Sequence, residues 1–249
     1  MRIEINGLSF AAGKKDILRG IDAVFEGRRI YGIIGPNGCG KTTLLRHLYR
    51  QHPSRGHILV NGRPAERYSM REYARMIAVM AQMQSFATAE LEVREVVQTG
   101  RYPYKRAMQP YGREDAAIVD SVLRETELYD LRGRKLKTLS GGEFQRAMIA
   151  KCLAQQPEAI LLDEPTNHLD VRYKVELMRR LRDFDGMVIM TIHDLNLAAR
   201  YCDWIYLMKD GQIHAGGAPD DILSERRLEE IFQVKIDITK RDGEIFIGT

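Results

Sequence analysis

Apolar and polar positions alternate through the first third of the chain, the period expected of half-buried strands. Ile3 and Ile5 take alternate places with polar residues, and 17–25 and 29–34 follow as further strands, with turns at Gly20 and Gly27. The last of these runs into a glycine-rich loop, after which Leu44, Leu45 and Leu48 recur at helical spacing; the local order is strand, loop, helix. A strand over 57–60 stops at the turn signal Asn61-Gly62. From about 68 to 136 strand signal thins to 76–80, and helical stretches at 93–99 and 114–127 dominate, interrupted by Pro103 and Pro110. This predicts an α-helical subdomain over 83–136, inserted into a core made of 1–82 and 137–249. A helix from about Gly142, the strand Ala159–Leu162, a helix from about Val171 and a strand over 187–192 then alternate, the order that produces a parallel sheet flanked by helices. Strands at 204–207 and 212–215 flank Lys209-Asp210-Gly211 as a hairpin, and 234–249 reads as a strand pair around Asp242-Gly243. The expected fold is α/β, a mostly parallel sheet flanked by helices, with an N-terminal antiparallel β subdomain and the helical insertion, all within one domain.

Composition narrows the function classes more than the fold. With 44% hydrophobic and 29% charged residues in 249, the chain can bury a core of its own. No window approaches the roughly 18 to 20 apolar residues of a membrane-spanning helix, so any membrane role must come through a partner. The start, MRIEINGLSF, lacks the pattern of a secretory signal, and Cys39, Cys152 and Cys202 are an odd set without metal-type spacing, which fits reduced thiols in the cytoplasm. His47, His52 and His57 recur every five residues, which is no helical face, and carry no metal reading. A formal charge of +4, with basic residues scattered as at Arg179, Arg180 and Arg182, describes a solvated face and no nucleic-acid partner.

Three short stretches carry chemistry. Gly35-Pro36-Asn37-Gly38-Cys39-Gly40-Lys41-Thr42, with Thr43 behind it, satisfies G-x-x-x-x-G-K-[ST] between a strand and a helix. Glycines let successive N–H groups and the helix terminus meet a phosphate, Lys41 adds a point charge, and Thr42 offers a hydroxyl to Mg²⁺. The core is thereby expected to be a P-loop NTPase. The apolar run 159–162 ends in Asp163 and Glu164, carboxylates that emerge at the C-terminal edge of a parallel sheet, where ligands of such sheets bind. Asp163 is expected to hold Mg²⁺ and Glu164 to polarise the attacking water. Leu139-Ser140-Gly141-Gly142-Glu143 opens a helix with two glycines, which destabilises it by up to about 1 kcal/mol each. A second anion-binding terminus explains them, and because one nucleotide rarely needs two within a chain, this one is expected to serve the nucleotide of another copy.

Taken in order, these motifs resemble the nucleotide-binding subunits of ABC transporters over nearly the whole chain. GPNGCGKT looks like Walker A, Gln82 like the Q-loop glutamine, LSGGE like the signature motif, and ILLDEP like Walker B. Asn167-His168-Leu169-Asp170 is similar to the D-loop and Thr191-Ile192-His193-Asp194 to the switch-histidine loop. The resemblance implies a head-to-tail homodimer with each ATP between one subunit's Walker A and the other's Ser140, Gly141 and Gly142. It also implies that His193 contacts the γ-phosphate, that Gln82 senses Mg²⁺ and the helical subdomain, and that Asp170 links the two sites. Two features depart from the pattern: Ala12 stands where the family often has an aromatic residue against adenine, so that either Phe10 substitutes or the base is held loosely, and Cys39 occupies a loop position usually taken by a small residue.

The stretch from Val93 to Tyr104, with the later TNHLD, looks most like the ATPase subunits of importers for iron-siderophore, haem or cobalamin complexes. It lies where that family's helical subdomain receives the membrane permease. The implied assembly is a peripheral protein on the cytoplasmic face of the cell membrane, joined to two permease subunits and served by an extracytoplasmic substrate-binding protein. The alternatives are a non-transport ABC ATPase, of which the iron–sulfur assembly type has a similar length but a different run after SGGE, and the ATPase of another transporter class.

Overall fold

Two stacked sheets carry the molecule, and the alternation of side chains along their strands explains the stacking. The computed structural model of the chain describes residues 1–81, 90–106, 108–167, 169–241 and 243–248. In chain order its elements begin with β1 (Arg2–Ala12), β2 (Lys15–Glu26), β3 (Ile30–Ile34), α1 (Lys41–Leu48), β4 (Ile58–Val60), β5 (Arg63–Pro64), α2 (Met70–Met76) and β6 (Ile77–Met80). The helices α3 (Val93–Gln98), α4 (Arg113–Glu125) and α5 (Gly141–Ala154) follow, then β7 (Ala159–Leu162), α6 (Val171–Asp183), β8 (Met187–Thr191) and α7 (Leu195–Tyr201). The chain closes with β9 (Trp204–Lys209), β10 (Gln212–Gly217), α8 (Pro219–Ile222), α9 (Glu225–Phe232), β11 (Asp237–Arg241) and β12 (Glu244–Gly248).

Among the described residues, one sheet runs in the order β2-β1-β4-β5 and is antiparallel. The other runs β10-β9-β3-β8-β7-β6, with every neighbouring pair parallel except β9 and β10. Both were expected from the strand and helix order. Because successive side chains of a strand face opposite ways, Tyr31, Ile33, Leu161, Ile189 and Met208 pack toward the first sheet and α1. Ile34, Ile160, Leu162, Val188, Met190 and Leu207 pack toward α5, α6 and the other helices of the opposite face. Burial on both faces is why β3 and β7, and β8 up to Thr191, read as near-continuous apolar runs.

Some boundaries and elements differ from the sequence reading. Gly20 is no turn: with φ of 60° it sits inside β2, where the β1–β2 register shifts. A positive-φ glycine is equally suited to a turn and a bulge, so the residue alone did not decide. The short helices α7, α8 and α9 were not foreseen, since four to eight residues give too few turns for a period to show. The closing strand pair is present as β11 and β12, and Asn196 of α7 clamps it. The Asn196 side chain donates to Ile247 O at 2.9 Å and accepts from Ile247 N at 2.8 Å.

Candidate functional site

The loop after β3 owes its shape to close backbone approaches. A Cβ on Gly35 would lie 2.0 Å from Met208 O, and Gly40, at φ of 108°, passes close to Ile17 O, so neither position admits a side chain without displacing backbone. The curl this produces wraps Lys41, which is 5% exposed and whose Nζ donates to Gly35 O at 2.8 Å and Pro36 O at 3.0 Å. An ammonium is thus held at the mouth of helix α1, whose own N-terminus has no side-chain cap. Cys39 is buried beside it. Burial pushes its thiol above the ordinary range while Lys41 pulls the other way, so the group is a protonated filler and no thiolate.

The parallel register brings the two acids to the same place. Asp163 follows β7, with its N–H donating to Met80 O at 3.0 Å, and is 4% exposed. Its Oδ1 accepts from Thr42 Oγ1 at 3.1 Å and from Thr191 Oγ1 at 2.8 Å, joining the start of α1, the end of β7 and the end of β8. Glu164 takes φ of 51°, uncommon for a residue with a Cβ, and its N–H donates to Thr191 Oγ1 at 2.8 Å. Its carboxylate meets His193 Nε2 at 2.5 Å through Oε1, and Asn167 Nδ2 donates to Oε2. The structure therefore gathers Lys41, Thr42, Asp163, Glu164 and His193 into one site, with Thr191 and Asn167, which the motifs contain but to which sequence reading gave no role, as further members. Thr191 left a faint signal as the one polar residue of an otherwise apolar buried strand.

Ser140 caps α5. Its side chain accepts from Glu143 N at 3.3 Å, and the Glu143 carboxylate accepts from Ser140 N at 2.7 Å, a reciprocal capping box that also holds the Glu143 carboxyl below its ordinary pKa. The two glycines differ. A Cβ on Gly141 would meet no atom within 4 Å, whereas one on Gly142 would strike the Tyr173 ring at 2.7 Å. Asp170 caps α6 and accepts from Tyr173 N at 3.1 Å. Gln82, expected at the metal, lies outside the described residues, as does His168. The Phe10 ring stacks on His52 at 4.8 Å and meets His47 edge-on at 4.9 Å, packing it against the far end of α1.

Comparison with known proteins agrees with this geometry. The family described as ABC transporter matches residues 18–167. The hemin import ATP-binding protein HmuV of Pseudomonas putida is 36% identical over 243 residues, covering 94% of this chain and 93% of the relative. The petrobactin import ATP-binding protein FpuC of Bacillus anthracis is 35% identical over 241 residues, with 95% and 88% covered. The ferric enterobactin transport ATP-binding protein FepC of Escherichia coli is 34% identical over 239 residues, with 94% and 88% covered. Among solved structures, the ADP conformation of an ATP-binding cassette, MJ1267, superposes with a TM-score of 0.79 at 22% identity over 93% of this chain and 98% of that one.

Proposed function

We propose a specific transport role from one premise: the chain belongs to the ABC transporter family and is an ATP-binding subunit that hydrolyses ATP. It powers import of a chelated metal, of the iron-siderophore, haem or cobalamin type, through a separate permease. The names of the hemin, petrobactin and enterobactin relatives support that substrate class. Among the described residues no helix is long and apolar enough to cross a membrane, which agrees with a subunit that works on the cytoplasmic face by docking to permease subunits. The region of α3 and α4 is the part that receives them, and an extracytoplasmic substrate-binding protein delivers the chelate.

The observation that carries the reading is the joining of three motifs at one carboxylate: Thr42 and Thr191 both donate to Asp163 Oδ1, and Glu164 meets His193 beside it. Hydroxyl and carboxylate oxygens held together at a phosphate loop fit Mg²⁺, a hard cation that takes oxygen ligands. Thr42, Asp163 and Gln82 would hold it. When bound it neutralises charge building on the phosphates. Lys41 and the loop amides of 35–43 orient the β- and γ-phosphates. Glu164, with both oxygens engaged by His193 and Asn167, is aimed to accept the proton of the attacking water, and His193 touches the γ-phosphate. A second copy completes each site with Ser140, Gly141 and Gly142, and Asp170 couples the pair. Loss of the γ-phosphate reopens the dimer and moves the permease.

The test is Glu164→Gln in the full chain with MgATP, with mass read by light scattering and turnover by phosphate release. We expect turnover to fall by about 10²–10³-fold, comparable with removing one group that acts on the transition state, and a nucleotide-loaded dimer to accumulate. A hydrolysis-dead form that stays monomeric at high concentration overturns the shared site.

A further inference from the structure

We propose that Thr191 is a positioning residue of this ATPase site, its hydroxyl setting the Asp163 carboxylate for a divalent cation and fixing the backbone that aims Glu164. The inference rests on the ATPase reading above and adds a residue to it.

Thr191 ends β8 and is fully buried, so its hydroxyl must find partners inside the protein. It finds two, and their roles are distinct. The oxygen accepts the Glu164 N–H at 2.8 Å, and the single hydroxyl proton goes to Asp163 Oδ1 at 2.8 Å. The chain of donation therefore runs in one direction, from the Glu164 amide through Thr191 to the Asp163 carboxylate. Asp163 Oδ1 has a second donor, Thr42, at the longer distance of 3.1 Å. Thr42 is a residue offered to the cation, and Thr191 is the donor whose hold on Asp163 does not compete with that task.

The second contact explains a conformation. Glu164 sits at φ of 51°, a left-handed backbone that a residue with a Cβ adopts only where its surroundings impose it. Its N–H has left the β7 ladder, in which Asp163 N is still bonded to Met80 O, and Thr191 receives it. The turn of the chain at that amide carries the Glu164 side chain across to His193, two residues beyond Thr191 on the same segment. One hydroxyl thus fixes a metal-facing acid and the orientation of the water-facing acid together. Valine would fill the same space and leave both the Glu164 amide and the Asp163 oxygen without it.

The experiment compares four side chains in the full-length protein: Thr191, Thr191→Val, Thr191→Ser and Thr191→Ala. The first pair differs in the hydroxyl at constant volume, and Ser against Ala differs in it after the methyl is gone, so the comparison survives if Val fails to fold. Three quantities are read: kcat for ATP, half-saturation by Mn²⁺ with a non-hydrolysable ATP analogue by electron paramagnetic resonance, and ATP affinity without metal. For Val and for Ala we expect kcat to fall and the Mn²⁺ half-saturation to rise by about 10–100-fold, the usual effect of removing a partner that orients a metal ligand. Metal-free affinity should stay near wild type, and Ser should restore most of both losses. The proposal is overturned if the hydroxyl-free variants keep wild-type kcat and Mn²⁺ half-saturation, if Ser loses as much as Ala, or if metal-free affinity collapses in step with the rest. An inactive wild-type chain that binds no ATP would overturn the ATPase reading itself, whereas an active wild type with unimpaired Val and Ala variants overturns this inference alone.

Discussion

Helices α1 and α5 both start beside glycines, and they begin in opposite ways. The first follows Gly40, at φ of 108°, with no side-chain cap, no acid in its first turn, and a lysine 5% exposed as its first residue. The second follows Ser140, whose extended backbone and exchange with Glu143 supply a complete capping box at the surface. An uncapped terminus with a buried ammonium beside it leaves N–H groups and positive charge that an anion can complete. A terminus that brings its own cap is stable in isolation and can be presented, exposed, to a phosphate carried by another copy. In the proposed shared site, the incomplete helix start is the one that binds and the self-sufficient one is the one that closes.

The largest effects should separate those roles. We expect Lys41→Ala to weaken ATP binding by about 100-fold, the scale of one to two charge-assisted hydrogen bonds in a buried setting, and to abolish turnover. Ser140→Arg should leave binding by the monomer near wild type and still abolish turnover. Neither variant hydrolyses alone, but an equal mixture pairs the intact phosphate loop of one with the intact Ser140 terminus of the other, and part of the activity returns. Phosphate release from the mixture is the measurement. No recovery would mean that α5 does not act across a dimer and that the contrast between the two helix starts has another cause.

Sequence resolved this contrast only where the chemistry is local. The phosphate loop, the acids after β7 and the Ser140 cap each lie within a few residues of chain, so spacing alone carried them. The alternating strands likewise exposed the two faces of the sheets. What joins the motifs was hidden, because Asp163 meets Thr42 across 121 positions and Thr191 across 28. The packing of Phe10 on His47 and His52 was hidden in the same way, since it joins β1 to residues about 40 positions on.

That packing provides a second way to probe α1 against α5. His47 is 1% exposed near the C-terminal end of α1, and burial, with the neighbouring His52 adding to it, lowers its pKa from 6.5 to about 4. Between these values the unfolded chain binds a proton that the folded chain refuses, so stability is full above pH 6.5 and falls as the pH drops toward 4. The loss contributed by this one group is about 2–3 kcal/mol. Melting temperatures measured across that window should fall more steeply for the wild type than for His47→Leu, which has nothing to protonate there. Parallel curves would show that the α1 end is not the acid-sensitive point.

The smallest effect tests the α5 terminus where the two helices differ most. Space around Gly141 is open, with no atom within 4 Å of a Cβ, and its φ is not in the left-handed region, so alanine fits the isolated chain without strain. Replacing a first-turn glycine by alanine restricts the unfolded chain and favours the helix, and Gly141→Ala should raise stability by about 0.5 kcal/mol. Gly142→Ala should do the reverse, because its methyl would be driven into the Tyr173 ring. If the amides of this terminus close on a phosphate from a second copy, the same Gly141 methyl stands at the contact, and the stabilised variant should turn over ATP more slowly. Chemical denaturation and steady-state hydrolysis on one preparation decide it. A more stable Gly141→Ala with undiminished turnover would place the open glycine away from the phosphate and return the cap to a purely local role.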